Sequence, residues 1–203
     1  MNHLDKHATA RPKGLLQEQS DFTSEGAPPP LPGMRLDAKA LEAATHDLMH
    51  GAVTAQQASC TQEVVKLLND ALATELVCVL RYKRHHFTAA GLASAKIAQE
   101  FLVHARQETM HADRLARRIV QLNGSPDFSP ESLLQRSHAP YDASPLLKDM
   151  IRVNLMAERV AIEAYSQMIA LVGASDVTTR RLLEDILCEE QAHAEELKDW
   201  LAD

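Results

Sequence analysis

One pattern occurs twice in this chain and limits its fold more than any other feature. Glu108-Thr-Met-His111-Ala-Asp-Arg-Leu115 and Glu190-Gln-Ala-His193-Ala-Glu-Glu-Leu197 share one form: Glu-x-x-His-Ala, an acidic residue, one further residue, then Leu. Residues three apart on a helix lie on one face, so each Glu and His can grip one ion from one side. A single Glu-x-x-His carries little weight. In 203 residues with 10 His and 15 Glu, about 0.7 such pairs arise by chance.

The duplication extends upstream. Glu75 precedes Glu108 by 33 residues and Glu158 precedes Glu190 by 32; seven residues after each upstream glutamate stands a tyrosine, Tyr82 and Tyr165. The chain therefore carries one helix-pair unit twice. Four carboxylates and two imidazoles are the ligand set of a dinuclear metal site inside a four-helix bundle. Each residue alone has an ordinary explanation, as a solvated helical glutamate or a hydrogen-bonded histidine. Those explanations would have to coincide six times at matched positions. Glu75, Glu108, His111, Glu158, Glu190 and His193 are accordingly the expected metal ligands.

Composition agrees with helices. Hydrophobic residues make up 45% of the chain, aromatics only 4%, and there are 7 glycines. Such Ala- and Leu-rich, Gly-poor sequence favours helix over sheet. Helices are expected from about Thr61 to His86 or slightly beyond, from Ser94 to Asn123, from Ser144-Pro145 to Val172, and from near Asp176 almost to the end. Val64, Leu68, Leu72, Glu75, Val79 and Tyr82 share a face of the first. Gly91, Asn123-Gly124 and Gly173 are the stops. Ser144 is read as the cap of the third helix, with Pro145 at its first position.

The link between the first two helices is short, which makes them antiparallel neighbours. The stretch 124–145 holds Pro126, Pro130, Pro140 and Pro145, with room for a turn or two of helix at 130–136. It is too long for a tight turn. A crossover of that length carries the chain back along the bundle and sets the third helix parallel to the second.

Residues 1–60 read as an N-terminal extension to the bundle at 61–203. Residues 1–33, with Pro12, Pro28, Pro29, Pro30 and Pro32, offer little apolar surface to offset ordering and are expected to be flexible. Residues 37–50 are expected to form a short amphipathic helix, capped by Asp37, striped by Leu41, Ala44, Leu48 and Met49, and ended by Gly51. The ordinary role for that stripe is packing on the outside of the bundle; the alternative is docking to another subunit or partner.

The formal net charge of −7 gives no general affinity for DNA or an anionic membrane. Lys6, Arg11 and Lys13 in the N-terminal tail are offset by Asp5, Glu18, Asp21 and Glu25, so DNA binding is not expected. No signal peptide or membrane span is visible. The three cysteines, Cys60, Cys78 and Cys188, form no Cys-x-x-Cys pair. That excludes a zinc knuckle or rubredoxin-type centre and fits a reducing compartment. Cys78 and Cys188 read as buried small hydrophobes, and the expected location is the cytoplasm.

From about Thr61 to Asp203 the chain resembles the ferritin-like superfamily, nearest in motif to its bacterioferritin and Dps-like branch. The resemblance rests on the doubled Glu and Glu-x-x-His pattern. It implies an all-α, ferritin-like four-helix bundle with a long crossover, holding two iron ions per subunit, with manganese or zinc as alternatives. Glu75 and His111 would serve one iron, Glu158 and His193 the other, with Glu108 and Glu190 bridging. Tyr82 matches a tyrosine near the bacterioferritin iron site and is the candidate catalytic residue, as electron donor or as hydrogen-bond donor to a ligand. A plain core tyrosine would look the same, and Tyr165 is equally ambiguous. His104, one turn before Glu108, is a candidate to orient a ligand or to receive iron in transit. Glu163, five residues past Glu158, points elsewhere and reads as solvated.

Two departures matter. Bacterioferritin holds haem through a methionine directly after the glutamate of its second helix. Thr109 stands there, and Met110 is turned about 100° away, so haem is not expected. The chain also ends ten residues after His193, without the fifth helix of 24-subunit ferritins. That resembles the 12-subunit cages, so a homo-oligomeric 12-mer is the favoured assembly and a dimer the alternative. The implied function is oxidation of Fe(II) by O2 or H2O2, for iron storage or protection from oxidative stress. The competing reading is a di-metal enzyme on the same fold, a hydroxylase or a manganese catalase or peroxidase. A non-catalytic helical binding module would leave the paired ligands unexplained.

Overall fold

The computed structural model describes residues 35–46, 48–54, 61–91 and 94–202. The proline-rich stretch 1–33 and Cys60 lie outside the described residues. Four long helices make the body: α2 (Thr61–Thr88), α3 (Ser94–Gln121), α5 (Leu147–Val172) and α6 (Val177–Ala202). Two short ones, α1 (Ala38–Ala43) and α4 (Leu133–Arg136), lie before and between them. Among the described residues there is no strand, and no helix is long and apolar enough to cross a membrane.

The segment 37–50 is not one helix. It forms α1, a turn, and a 3-10 turn at Leu48–His50. Thr45 Oγ1 donates to the Glu42 carbonyl at 2.8 Å. That bond competes with helix continuation at a run, Thr45-His46-Asp47, of weak helix formers. The expected stripe is exposed, with Leu48 at 79% and Met49 at 91%. Val53 is the residue of this region that enters the core.

The long helices follow from spacing. On α2 the buried residues Val64, Leu68, Leu72, Glu75, Val79 and Tyr82 recur at three- and four-residue intervals and form one inward stripe. The α3 stop is a Schellman-type end in which Asn123 (φ 59°) adopts the left-handed conformation and the Gly124 N–H returns to the Ile119 carbonyl at 2.9 Å. Gly124 is required for space: a Cβ there would lie 2.7 Å from Val65 Cγ1. At α6, Asp176 caps the helix by accepting the Thr179 N–H at 3.0 Å.

The crossover is tied to α2 along its length. Arg136 Nη1 donates to the Asn69 carbonyl at 2.7 Å, the His138 N–H to Thr74 Oγ1 at 2.9 Å, and Arg81 Nη1 to the Pro140 carbonyl at 3.0 Å. Partners on α2 thus advance as the crossover advances, so α5 starts at the far end of α2 and runs back. Contacts between Tyr82 and Glu158 and between Tyr165 and Glu75 record that antiparallel pairing. With α2 and α3 also antiparallel, α5 runs parallel to α3, as expected for a ferritin-like bundle. The third long helix begins at Leu147, preceded by Leu146, whose side chain makes no cap, and not at Ser144. The Ser144 N–H is taken by Asp142 Oδ1 at 2.7 Å, and this turn delays the helix.

The apolar core is in two main parts. Leu68, Leu72, Leu115, Ile119, Met168, Leu183 and Ile186 fill one. Phe101, Met150, Ile151 and Leu197 fill the other, beside Tyr82. Between them lies a polar layer.

Candidate metal centre

Each of the four long helices contributes to that layer. α2 presents Glu75, α3 Glu108 and His111, α5 Glu158, and α6 Glu190 and His193; all six are buried, none above 3% exposed. The two residues of each Glu-x-x-His stand one turn apart on the inner face, and helix pairing brings the halves together. His111 Nδ1 lies 3.5 Å from Glu75, 3.2 Å from Glu108 and 2.9 Å from Glu190. His193 Nδ1 lies 3.3 Å from Glu108, 3.9 Å from Glu158 and 3.7 Å from Glu190.

These distances define two overlapping groups with ligand atoms within 4.8 Å of one another. One is Glu75, Glu108, His111 and Glu190; the other is Glu108, Glu158, Glu190 and His193. The shared members are Glu108 and Glu190. Seven buried side-chain polar atoms among the described residues lack a hydrogen-bond partner. Five of them belong here: Glu108 Oε1, Glu158 Oε2, both Glu190 oxygens and His193 Nδ1. Several lie close to opposite charge yet are not aligned for hydrogen bonding. Buried polar atoms left so would be costly, by about 1–3 kcal/mol each. Oxygen and imidazole donors of this kind suit iron, manganese or zinc.

Surrounding groups orient the ligands. Tyr82 OH donates to Glu158 and Tyr165 OH to Glu75, each across to the other half of the repeat. His111 Nε2 reaches Glu189 Oε2 at 3.1 Å, and His193 Nε2 reaches Gln107 Oε1 at 3.2 Å. Both contacts call for a proton on Nε2, whatever Nδ1 carries, and aim Nδ1 at the carboxylates. Arg114 Nη1 holds Glu189 Oε1 at 2.7 Å. Sequence reading missed Gln107 and Glu189. The available signal was position: each immediately precedes a shared glutamate and meets the histidine of the other half.

Protons are divided unevenly in this cluster. Burial, and next the charge of Glu108, push Glu75 up to about 8. Burial and the other three carboxylates raise Glu190 well above the usual range. Burial would also raise Glu108 and Glu158. The nearby His111 and His193 imidazoles hold Glu108 well below the usual range, and His193 with Glu190 holds Glu158 below it. Burial favours neutral imidazoles, but the carboxylates overcome it, raising His111 strongly and His193 to about 12. The carboxylates thus favour the charged form of both imidazoles, and burial favours the protonated form of Glu75 and Glu190.

Other expected residues separate cleanly. His104 is buried beside the centre, with Nδ1 3.2 Å from Tyr82 OH. Glu163 is exposed, as read. Cys78 is buried, but Cys188 is exposed, against expectation. Cys78 follows Glu75 by three positions and shares its face; Cys188 precedes Glu190 by two, about 200° around the helix. Met110 is 54% exposed.

A family model described as ferritin-like domain matches residues 65–203. A bacterioferritin of Desulfovibrio desulfuricans is 31% identical over 132 residues, covering 64% of this chain and 70% of that protein. A nutrient stress-induced DNA-binding protein of Synechococcus is 28% identical over 149 residues, covering 72% and 85%. Among solved structures, the dodecameric thioferritin of Bacteroides fragilis, a bacterioferritin-related protein, superposes with a TM-score of 0.68. It is 29% identical, with 70% of this chain and 86% of that one covered.

Proposed function

The chain belongs to the ferritin-like family, in its bacterioferritin and Dps-like branch, and on that premise we propose that it oxidises Fe(II) with O2 or H2O2 at the six-residue centre. The observation that carries this reading is the pair of overlapping four-residue groups sharing Glu108 and Glu190. Glu75 and His111 would hold one Fe(II), Glu158 and His193 the other, and the shared glutamates would hold both. Manganese or zinc would fit the same donors.

Two adjacent Fe(II) ions supply one electron each. H2O2 takes both and, with two protons, leaves as two waters; O2 taking both with two protons leaves as H2O2. The chain's own groups prepare the site. Glu189 and Gln107 fix the imidazole planes and tautomers, and Tyr165 and Tyr82 hold Glu75 and Glu158. Tyr82, linked to both Glu158 and His104, is the candidate to pass a proton or an electron. Apolar layers on both sides exclude bulk water.

Exposed apolar side chains on the long helices, Leu80, Met156, Val160 and Leu171 among them, support burial against other copies. We favour a cytoplasmic 12-subunit cage that stores iron or removes oxidant, as the dodecameric relative suggests. DNA binding is not proposed, because the net charge of −7 gives no general affinity for a phosphate backbone.

The test is anaerobic Fe(II) loading followed by air or H2O2, watched by absorbance, with native mass on the same sample. A cage-sized particle that oxidises and keeps many irons per chain is expected. A small oligomer that stops at two metals would overturn storage, and a chain that binds none would overturn the metal centre.

A further inference from the structure

One half of the repeat carries a buried cation that the other half lacks. Glu158 follows Glu75 by 83 residues, and Tyr165 follows Tyr82 by the same number. At that offset Cys78, Arg81 and Asn154 correspond to Ala161, Ala164 and Ala71. The polar trio belongs to the half of Tyr82 and Glu158, and the alanines to the half of Tyr165 and Glu75.

Arg81 is fully buried. Its Nε donates to Asn154 Oδ1 at 2.8 Å, its Nη1 to the Pro140 carbonyl at 3.0 Å and its Nη2 to Cys78 Sγ at 3.2 Å. None of these acceptors is a carboxylate. Because Arg81 can only donate, Asn154 turns its oxygen to Arg81 and its Nδ2 to His85 Nδ1, at 3.0 Å. Asp142 reaches only the far end of this network, 3.8 Å from His85 Nε2, and is one-third exposed, so water screens it. A guanidinium keeps its proton in a protein, and a buried charge without a paired opposite charge is costly. The guanidinium centre lies 5.8 Å from the centroid of the Tyr82 ring, and Tyr82 OH donates to Glu158. Asn154 stands one helical turn before Glu158 on α5. A fixed positive charge therefore sits one side chain behind Glu158, and Ala164 places none behind Glu75.

We propose that Arg81 weakens the hold of the Glu158/His193 position on a metal ion, so that the two positions of the centre differ although their ligand types match. Arg81 is a positioning residue and acts through its field. It stabilises ionised Glu158 before metal arrives and repels the ion that takes over that role. Repulsion grows with ionic charge, so a trivalent ion is pushed half as hard again as a divalent one. That favours release of the oxidised ion from this position. The inference rests on the reading of the six residues as a metal centre.

The test is anaerobic Mn(II) binding at neutral pH by full-length wild type, Arg81→Lys, Arg81→Gln and Asn154→Asp. Calorimetry gives the two affinities, and anomalous diffraction at limiting Mn(II) assigns them to positions. Arg81→Lys keeps the charge and loses hydrogen bonds. Arg81→Gln loses both. Asn154→Asp keeps an oxygen opposite Arg81 Nε and supplies the missing negative charge. Arg81→Gln and Asn154→Asp should tighten the Glu158/His193 position by about tenfold and the Glu75/His111 position by less, while Arg81→Lys stays near wild type. A merely structural Arg81 would group the variants the other way, with both Arg81 changes weakening binding and Asn154→Asp matching wild type. That grouping, equal tightening at both positions, or one set of affinities in all four proteins would overturn the proposal and leave the centre intact. Should circular dichroism show that Arg81→Gln does not fold, Asn154→Asp against Arg81→Lys decides alone. A wild type that binds no Mn(II) would overturn the centre itself.

Discussion

Loading the centre should release about three protons per pair of ions at pH 7. The number follows from the metal-free cluster. His111 and His193 are strongly raised by the carboxylates and Glu75 is pushed up to about 8, so these three hold protons at pH 7. Ligation requires neutral imidazoles and ionised carboxylates. Each linked proton is worth about 1.4 kcal/mol per pH unit. The summed binding free energy of the pair should therefore strengthen by about 4 kcal/mol per pH unit near neutrality. The sign is fixed: these groups bind protons more tightly without metal, so acid opposes loading. Glu75 is pushed up to about 8, so above that pH the release should drop toward two, while His193, raised to about 12, still contributes. Anaerobic Mn(II) calorimetry in buffers of different ionisation enthalpy, at pH 7 and pH 9, measures both numbers. One proton or fewer at pH 7, or no change across pH 8, would refute the assignment.

Three further outcomes are expected. Asp176→Ala should cost about 4 kcal/mol in denaturant unfolding, since it removes the α6 cap and leaves Arg118, 5% exposed, without the carboxylate 2.9 Å from its Nη2. Burial would raise the Asp176 carboxyl, but Thr179 and Arg118 lower it, so its contribution is present above the ordinary carboxylate range and fades below about pH 4, where wild type and variant should converge. Gly124→Ala should cost about 1–3 kcal/mol because the new methyl meets Val65, and Val65→Ala in the same chain should recover most of it. Tyr165→Phe removes the donor to Glu75 and should weaken Mn(II) binding by about tenfold with the helical content unchanged, as read by titration and circular dichroism.

The bundle was legible because its helices are long and their inward stripes regular, and the six proposed ligands because they occur twice at one spacing. What escaped is instructive. Gln107 and Glu189 are ordinary polar residues in sequence, and their roles depend on which histidine the opposite helix places against them. The start of α5 moved because Asp142 takes the Ser144 N–H, a tertiary-independent turn that outcompetes a Ser-Pro helix start. Cys188 was misread by treating nearness to a proposed ligand as burial, although two positions along a helix reverse the face. The 37–50 segment carried an apolar stripe, but six helical residues bury too little to hold it, and its leucines stay exposed.

The two halves of the repeat do not each build a site. Tyr82 on α2 holds Glu158 on α5, and Tyr165 on α5 holds Glu75 on α2. Glu189 on α6 orients His111 on α3, and Gln107 on α3 orients His193 on α6. A single helix pair would bury carboxylates whose donors sit on the other pair, and buried charges without partners cost several kcal/mol each. The duplicated unit is stable only when closed on itself, which ties formation of the centre to assembly of the bundle. Once that two-fold frame exists, substitutions outside it are free to differ. His104 against Ile186, and Glu196 against Arg114, are two such differences. The two tyrosine contacts and the Glu189 and Gln107 contacts, in contrast, repeat across the bundle.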